Sequence, residues 1–209
     1  MNIPPPVRPG VAISRLLEVL TPAAIPCTIQ PRRKVELKQN DKANIYLFLS
    51  GELSILRSPD NLVLATVYEP HIFGIAEIFQ AQRKHLLRPE TPSLILKMSA
   101  SKAKEIFREN NVWEEVTELL AYYAIYQGYR DNLLLQQRNF SIVCNYLFEI
   151  MSLPEGIRKK VTILRYIQDR TYLSRSSILN TLAKLKSEGH IDFSRGGVQL
   201  NIKSLPKTP

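Results

Sequence analysis

Cysteine is scarce in this chain of 209 residues, which contains only Cys27 and Cys144. Two thiols so far apart in sequence cannot ligate an iron–sulfur cluster within one chain, because such a cluster needs several clustered cysteines. The count allows a disulfide, but two buried or idle thiols fit better, since Cys144 falls in an apolar helical segment. Redox sensing by Cys27 stays open, because the sequence fixes neither its exposure nor its pKa.

Long hydrophobic runs are also lacking. No run of about 18 apolar residues is present, and residues 1–9 are proline-rich rather than basic and then apolar as in a secretory signal. We therefore expect a cytoplasmic protein with no membrane partner. The hydrophobic content of 44% is enough for ordinary cores, in one large domain or two modest ones.

The familiar enzyme motifs are missing too. The chain has no glycine-rich phosphate loop, no Cys-x-x-Cys pair, no His-x-x-x-His on a helix and no Gly-x-Ser-x-Gly elbow. Catalysis would have to come from an unrecognised arrangement of residues. We interpret the chain as a non-enzyme.

The segment from residue 161 to residue 202 has the pattern of a winged helix-turn-helix. Ser174 stands at an N-cap position before a predicted second helix, residues 175–188. Gly189 then ends that helix, and two short alternating strands flank the turn at 194–197, which predicts a wing. Three apolar residues of the preceding helix would brace the second one: Ile163, Leu164 and Ile167.

The predicted second helix has an apolar face and a polar face. Ile178, Leu182 and Leu185 recur at helical spacing and are expected to pack inward. Arginine pairs with guanine and asparagine with adenine in the major groove. The candidates for base edges are Arg175, Ser176 and Asn180. The candidates for phosphate contacts are Ser177, Thr181, Lys184, Lys186 and Arg195.

Positive charge is concentrated in the same part of the chain. From residue 157 onward there are 11 basic and three acidic residues, while the first 156 residues carry 17 basic and 16 acidic ones. Almost the whole net charge of +9 therefore belongs to the predicted DNA-binding segment. A surface of one sign facing phosphates gains affinity by releasing counterions. Double-stranded DNA is the leading partner, and we expect its binding to weaken steeply with salt.

Upstream, the apolar residues follow a strand-like period. Residues 50–52 and 58–61 have the composition of turns between such strands. Several short strands joined by turns predict an antiparallel β-roll. The predicted strands are Val35 with Leu37, 45–49, 53–56, 62–67 and 94–98.

Between residues 101 and 138 the period becomes helical. A short helix is predicted through Ala103, Ile106 and Phe107, and a long one from about Val112. Apolar and large residues of the long helix recur at alternating steps of four and three, which is typical of a dimerisation helix. The competing explanation is that this stripe packs on the β-roll of the same chain. The stripe comprises Val112, Val116, Leu119, Tyr123, Tyr126, Arg130, Leu133 and Gln137.

Taken in order, these parts resemble the cyclic-AMP receptor protein and FNR superfamily of bacterial transcription regulators. Residues 46–53 match the strand, glycine turn and strand of its sensor fold, and Ile72-Phe73-Gly74 resembles its later glycine. Segments 73–76, 110–113 and 166–176 are similar to the enterobacterial IprA (YaiV) group, whose name refers to inhibition of hydrogen peroxide resistance. The resemblance covers nearly everything after residue 30.

The resemblance implies an α+β fold in three parts. These are an N-terminal antiparallel β-roll domain over residues 1–110, a long dimerisation helix over 111–138, and a C-terminal winged helix-turn-helix domain over 139–209. It also implies a homodimeric transcription regulator that contacts RNA polymerase as well as DNA, with a link to oxidative stress.

The chain departs from the nucleotide-binding members of the superfamily. Ile75 stands where they carry the glutamate that holds the ribose, and His85 and Leu86 stand where they carry the Arg-Ser or Arg-Thr pair that holds the phosphate. An alignment shift that brings Arg83, Lys84 or Arg88 to the arginine position restores one cation, but not the glutamate and the hydroxyl together. Glu77 is interpreted as a solvated loop carboxylate. Without these charge-assisted bonds, we expect no tight cyclic-nucleotide binding. His71 and His85 lie in the sensor region, but the sequence assigns neither a haem nor a metal to them.

One rival interpretation keeps the fold and changes the partner. A winged helix can dock another protein, as in an anti-activator that has lost DNA binding. Substitution of Arg175, Asn180 and Lys184 separates the two, because only the DNA hypothesis requires these residues. The sequence names no effector or target gene, and does not distinguish activation from repression.

Overall fold

The computed structural model describes residues 4–39, 42–80, 85–134, 138–194 and 196–206. The chain forms two compact units, one of residues 7–125 and one built mainly from residues 126–209.

The first unit contains two complete helices, the first part of a third helix and two antiparallel sheets. The helices are α1 (Gly10–Leu20), α2 (Ala100–Glu109) and the first part of α3 (Trp113–Leu134). The strands are β1 (Ile25–Pro26), β2 (Val35–Glu36), β3 (Lys38–Gln39), β4 (Lys42–Ser50), β5 (Leu53–Arg57), β6 (Val63–Val67), β7 (His71–Phe73), β8 (His85–Pro89) and β9 (Leu94–Ser99).

The two sheets have the topology of a roll. One has the order β1-β9-β4-β3, with β7 also paired to β4, and the other has the order β2-β8-β5-β6. In the first sheet Leu47 of β4 lies opposite both Leu96 and Ile72. In the second sheet Leu53 of β5 lies opposite both Val67 and Pro89.

Strand β4 is buried on both faces. Ile45 and Leu47 join the core that also includes α1, α2 and α3, while Tyr46 and Phe48 join the core shared with residues of the second sheet. Such a strand reads as a continuous apolar run rather than an alternation, because neither face meets water. This explains why the run at 45–49 was a clear strand signal in the sequence.

Two glycines hold backbone conformations that other residues disfavour. Gly51, between β4 and β5, has φ of +110°, and Gly74, after β7, has φ of +97°. A Cβ atom at Gly74 would overlap the carbonyl oxygen of Asn44, and one at Gly51 would overlap the side chain of Ser93. Both glycines of the sensor-fold motif therefore have steric reasons to be glycine.

The second unit contains the last part of α3, the remaining helices and a hairpin. Its core is formed by one face of each long helix together with Ile191 and Leu200 of the hairpin. Cys144 is buried in this unit, and burial raises the pKa of its thiol to about 11, so it is protonated at neutral pH. The elements are α4 (Asn139–Ser152), α5 (Glu155–Arg158), α6 (Ile163–Arg170), α7 (Arg175–Ser187), β10 (Ile191–Ser194) and β11 (Val198–Ile202).

Candidate nucleic-acid interface

Helices α6 and α7 form the predicted helix-turn-helix. The hydroxyl oxygen of Ser174 accepts a hydrogen bond from the backbone N–H of Ser177 at 3.1 Å, which confirms Ser174 as the N-cap of α7. Gly189 follows α7 with φ of +76°, as expected of a residue that ends a helix. Leu164 is half-buried against the same core, and the other predicted core residues on the two helices are buried: Ile163, Ile167, Ile178, Leu182 and Leu185.

The turn between the helices is fixed by buried polar groups. The Tyr146 hydroxyl donates to the carbonyl oxygen of Arg170 at 3.3 Å, and the Thr171 hydroxyl donates to that of Ile167 at 2.9 Å. The Arg170 guanidinium lies 3.6 Å from the ring centroid of Tyr166. Arg170 is buried. One of the basic residues counted toward the DNA-binding charge thus has a structural role instead.

The three candidates for base contacts lie on the exposed side of α7. Arg175, Ser176 and Asn180 are all exposed, opposite or beside the buried Ile178, Leu182 and Leu185. The hydroxyls of Ser174 and Ser176 lie 3.0 Å apart, within hydrogen-bonding distance. A helix whose core face is locked in this way presents its polar face in a fixed orientation.

Three of the candidates for phosphate contacts lie on the side of α7 nearest α4. Ser177 accepts a hydrogen bond from the Asn139 amide at 3.2 Å, and the Thr181 hydroxyl donates to the Ser177 carbonyl oxygen at 3.0 Å. Lys184 lies 4.0 Å from the Glu188 carboxylate and 5.8 Å from the ring centroid of Phe140. Ser177 and Thr181 are half-buried, so this flank offers less exposed polar surface than the centre of the helix.

Lys186 connects α7 to the wing. Its ammonium group lies 2.9 Å from the Asp192 carboxylate, donates to the Phe193 carbonyl oxygen at 3.1 Å and lies 4.3 Å from the Phe193 ring centroid. The hydrogen bond from Lys186 is the main reason that the pKa of Asp192 is lowered. A phosphate would have to compete with this carboxylate for Lys186. Arg195, the other predicted phosphate contact on the wing, lies outside the described residues.

The wing is anchored to the first helix of the motif. The Ile163 N–H donates to the Gly197 carbonyl oxygen at 2.9 Å, and the Gly197 N–H donates to the Ser194 carbonyl oxygen at 3.0 Å. Gly196 and Gly197 both have positive φ, which lets the hairpin turn tightly. The wing and the helix-turn-helix are therefore parts of one packed unit.

Two exposed residues of the helix-turn-helix with large apolar side chains were not singled out from the sequence. Tyr172, in the turn, has 73% of its surface exposed, and Leu179, on α7, has 41%. One sequence signal could have identified Leu179 as an exposed apolar residue: it lies outside the spacing of Ile178, Leu182 and Leu185. Sequence reasoning treated the exposed face of α7 as polar and so passed over it.

The predicted nucleotide positions of the roll are occupied by apolar or half-buried groups. Ile75 is fully buried in the core that includes α1, α2 and α3. His85 and Leu86 are half-buried on β8, and burial lowers the pKa of His85. Arg83 and Lys84 lie outside the described residues.

His71 is the most buried histidine of the described residues. Burial, with a smaller contribution from the positive charge of Arg8, lowers its pKa to about 3, so the ring is neutral at physiological pH. Its Nε2 atom lies 3.3 Å from the Tyr123 hydroxyl, which also donates to the Ile72 carbonyl oxygen. Within the described parts of the chain, no group of three or more His, Cys, Asp or Glu side chains is arranged to hold a metal ion.

The stripe on α3 packs within the chain. Val112, Val116 and Leu119 are buried in the core of the first unit, which is the competing explanation considered for this stripe. Leu133 and Arg130 are also buried, and Tyr123 and Tyr126 are half-buried. Gln137 lies outside the described residues. The residues predicted to form a dimer interface are therefore largely committed to intrachain packing, and a different face of α3 is exposed.

Comparison with known proteins agrees with this geometry. A family model described as winged helix-turn-helix DNA binding matches residues 139–207. The match covers helices α4 to α7 and the hairpin of β10 and β11. No helix among the described residues is both long and apolar enough to cross a membrane.

Two bacterial relatives match most of the chain. The protein named inhibitor of hydrogen peroxide resistance from Salmonella typhimurium is 25% identical over 169 residues, covering 79% of this chain and 81% of the relative. Its namesake from Escherichia coli K12 is 24% identical over 162 residues, covering 77% of each. The predicted resemblance to the IprA group is confirmed.

Solved structures share the fold at low sequence identity. The c-di-GMP responsive global regulator CLP of Xanthomonas campestris matches with a TM-score of 0.74 at 18% identity, covering 90% of this chain and 98% of that one. A putative regulator of the CRP/FNR family from Eubacterium rectale matches with a TM-score of 0.64 at 16% identity, covering 90% and 89%. The predicted fold class, a β-roll, a long helix and a winged helix-turn-helix, is confirmed.

Proposed function

We propose that the protein is a sequence-specific transcription regulator that binds double-stranded DNA through α7. The observation that carries the proposal is the exposed Arg175, Ser176 and Asn180 face on a helix fixed by its N-cap and core, within a winged helix-turn-helix domain. The surplus of basic residues after residue 157 supplies attraction to phosphate. We assign it to the cytoplasm, where bacterial DNA is located, and to regulation rather than catalysis.

The residues of α7 have separate roles in this proposal. Arg175 pairs with the O6 and N7 atoms of a guanine, and Asn180 pairs with the N6 and N7 atoms of an adenine. Ser176 adds a hydrogen bond to a base edge. The remaining residues position the helix against the DNA backbone. They are Lys184, Ser177 and Thr181 on one flank, Arg195, and Lys186, which is partly committed to Asp192.

We further propose a homodimer, through a face of α3 other than the one predicted from the apolar stripe. Thr117, Ala121, Ala124 and Gly128 are exposed and recur at steps of four, three and four. Ile125 beside them has 62% of its surface exposed. Small side chains allow two helices to approach closely, and a C₂ dimer presents two reading helices to two half-sites.

The roll binds no cyclic nucleotide in this proposal, and the protein carries no iron–sulfur cluster. A glutamate at Ile75 would replace a fully buried apolar side chain, so the core itself supports the absence of that ribose contact. RNA polymerase is a further partner of the DNA-bound regulator. The relatives' name supports a place in the response to hydrogen peroxide.

Selection from a random duplex library at two salt concentrations tests the proposal. The full-length protein is expected to enrich a two-fold symmetric motif with half-sites about one helical turn apart. Retention should fall as salt rises, because the basic segment binds partly through counterion release. Retention at low salt without an enriched motif would contradict sequence-specific recognition.

A second candidate function is an anti-activator whose winged helix contacts protein. The exposure of Tyr172 in the turn and of Leu179 on α7 favours it, since aromatic and apolar anchors are typical of protein interfaces. Tolerance of Arg175, Asn180 and Lys184 to substitution in a transcription assay, combined with a loss on substituting Tyr172, would favour this candidate over DNA binding.

A further inference from the structure

Leu179 is an exposed leucine in the middle of the proposed reading surface. It lies about 100° around α7 from Ile178, and one turn from both Arg175 and Ala183. Both of these neighbours are exposed, as are Ser176 and Asn180 on the adjoining side. An apolar side chain therefore stands among the groups proposed to contact base edges.

Packing within the described part of the unit does not account for this leucine. Leu179 is not among the buried or partly buried residues that form the core around α4, α6 and α7, whereas Leu164 and Leu173 are. Covering its exposed apolar surface with a partner is favourable in free energy, because that surface is then removed from water. Isolated exposed leucines are common, so the position among base-reading residues is what makes this one informative.

The charge around Leu179 favours DNA as the partner that covers it. The sequence has no acidic residue from 170 to 187, and two basic residues of that stretch, Arg175 and Lys184, are exposed on α7. In the major groove, base edges present hydrogen-bond donors and acceptors, and thymine adds an apolar C5-methyl group. That methyl group is the natural apolar contact for a leucine on a groove-facing helix.

We infer that Leu179 is a specificity-determining residue that contacts the C5-methyl group of a thymine. The inference rests on the proposed function, because it requires α7 to lie in the major groove. Four residues of helix rise about 6 Å, so Leu179 reaches a base pair within about two steps of the one contacted by Arg175. The selected motif should therefore contain a thymine near the guanine of each half-site.

The test removes the methyl group from the DNA and the leucine from the protein. Duplexes of the selected motif are made with deoxyuridine replacing each thymine in turn, and their dissociation constants are measured by fluorescence anisotropy at one salt concentration. The wild-type protein should bind about fourfold more weakly when the contacted methyl is lost from one half-site, and about fifteenfold more weakly when it is lost from both. L179A should bind the thymine duplex as weakly as the wild type binds the uracil duplex.

Combining L179A in the protein with deoxyuridine in the DNA, together with the controls, makes the inference falsifiable. L179A should lose sensitivity to deoxyuridine at the contacted position, while L94A, which alters an exposed leucine of the first unit, should keep the wild-type sensitivity. Adding a methyl group elsewhere in the half-site, by replacing a cytosine with 5-methylcytosine, should not change the dissociation constant by a comparable factor. Equal binding of thymine and uracil duplexes by the wild type, or unchanged methyl sensitivity in L179A, would overturn the inference but leave the proposed function intact. Failure to select any motif would overturn both.

Discussion

Helices α3 and α7 carry apolar stripes of the same kind, but the stripes invite different interpretations. In α7 the residues Ile178, Leu182 and Leu185 were expected to form the core, and they are buried. In α3 the stripe that begins at Val112 was expected to face a second subunit, yet Val116 and Leu119 are buried in the same chain. An apolar stripe thus identifies the buried face of a helix, while the candidate partner surfaces lie on the faces that it leaves exposed.

The largest expected effect comes from breaking the buried stripe of α3. L119A should lower the free energy of unfolding of the first unit by about 2–5 kcal/mol, because it leaves a cavity in a closed core. Urea denaturation at two protein concentrations measures this. The loss should be the same at both concentrations, whereas a residue that acts only at a dimer interface would give a concentration-dependent loss.

A substitution on the exposed face of α3 should weaken dimerisation and leave the stability of the monomer nearly unchanged. A124E should weaken dimerisation by about 3 kcal/mol, because it places an uncompensated charge at the proposed helix contact. Sedimentation equilibrium measures the dimer dissociation constant, and urea denaturation of the monomer should be nearly unchanged. E118Q, at another exposed position of α3, serves as a matched control. An unaffected dimer in A124E would place the interface elsewhere.

The sequence predicted the winged helix-turn-helix more completely than the roll. In α7 the N-cap Ser174, the apolar spacing and Gly189 agree, so local signals sufficed. In the roll, β7 has only three residues, and β8 reads His-Leu-Leu-Arg-Pro without a regular alternation, so neither gave a recognisable period. Helix α1 was missed because it follows a proline-rich segment and has no side-chain N-cap, although its buried residues Ala12, Ile13, Leu16 and Leu20 are helically spaced.

The candidate site was predicted in residue type but not in every contact. Arg175, Ser176 and Asn180 lie on an exposed face, as local periodicity alone can indicate. The Lys186 interaction with Asp192, the burial of Arg170 and the exposure of Leu179 depend on how α7 packs against α6 and the wing. Such contacts join residues from different elements, and one sequence contains no direct signal for them.

Breaking the exposed face of α7 should alter DNA recognition and leave folding intact. R175A should reduce discrimination at one base pair of each half-site by about 1–3 kcal/mol, since it removes a bidentate pairing with guanine. Competition binding with single-base variants of the selected motif measures the effect. R165A, which removes an exposed arginine of α6 that pairs with Asp169, is the control and should leave base discrimination unchanged. Equal discrimination by R175A and the wild type would remove Arg175 from the reading surface.

The smallest expected effect separates two serines at the start of α7. Ser174 accepts the hydrogen bond from the Ser177 N–H, so S174A should lower the stability of the second unit by about 1 kcal/mol. Ser176 is exposed and is proposed to contact a base, so S176A should alter base discrimination with little change in stability. Thermal denaturation and competition binding on both variants give the two readouts. Loss of stability in S176A but not in S174A would reverse the assigned roles, and would show that the boundary between the structural and the reading face of α7 lies elsewhere.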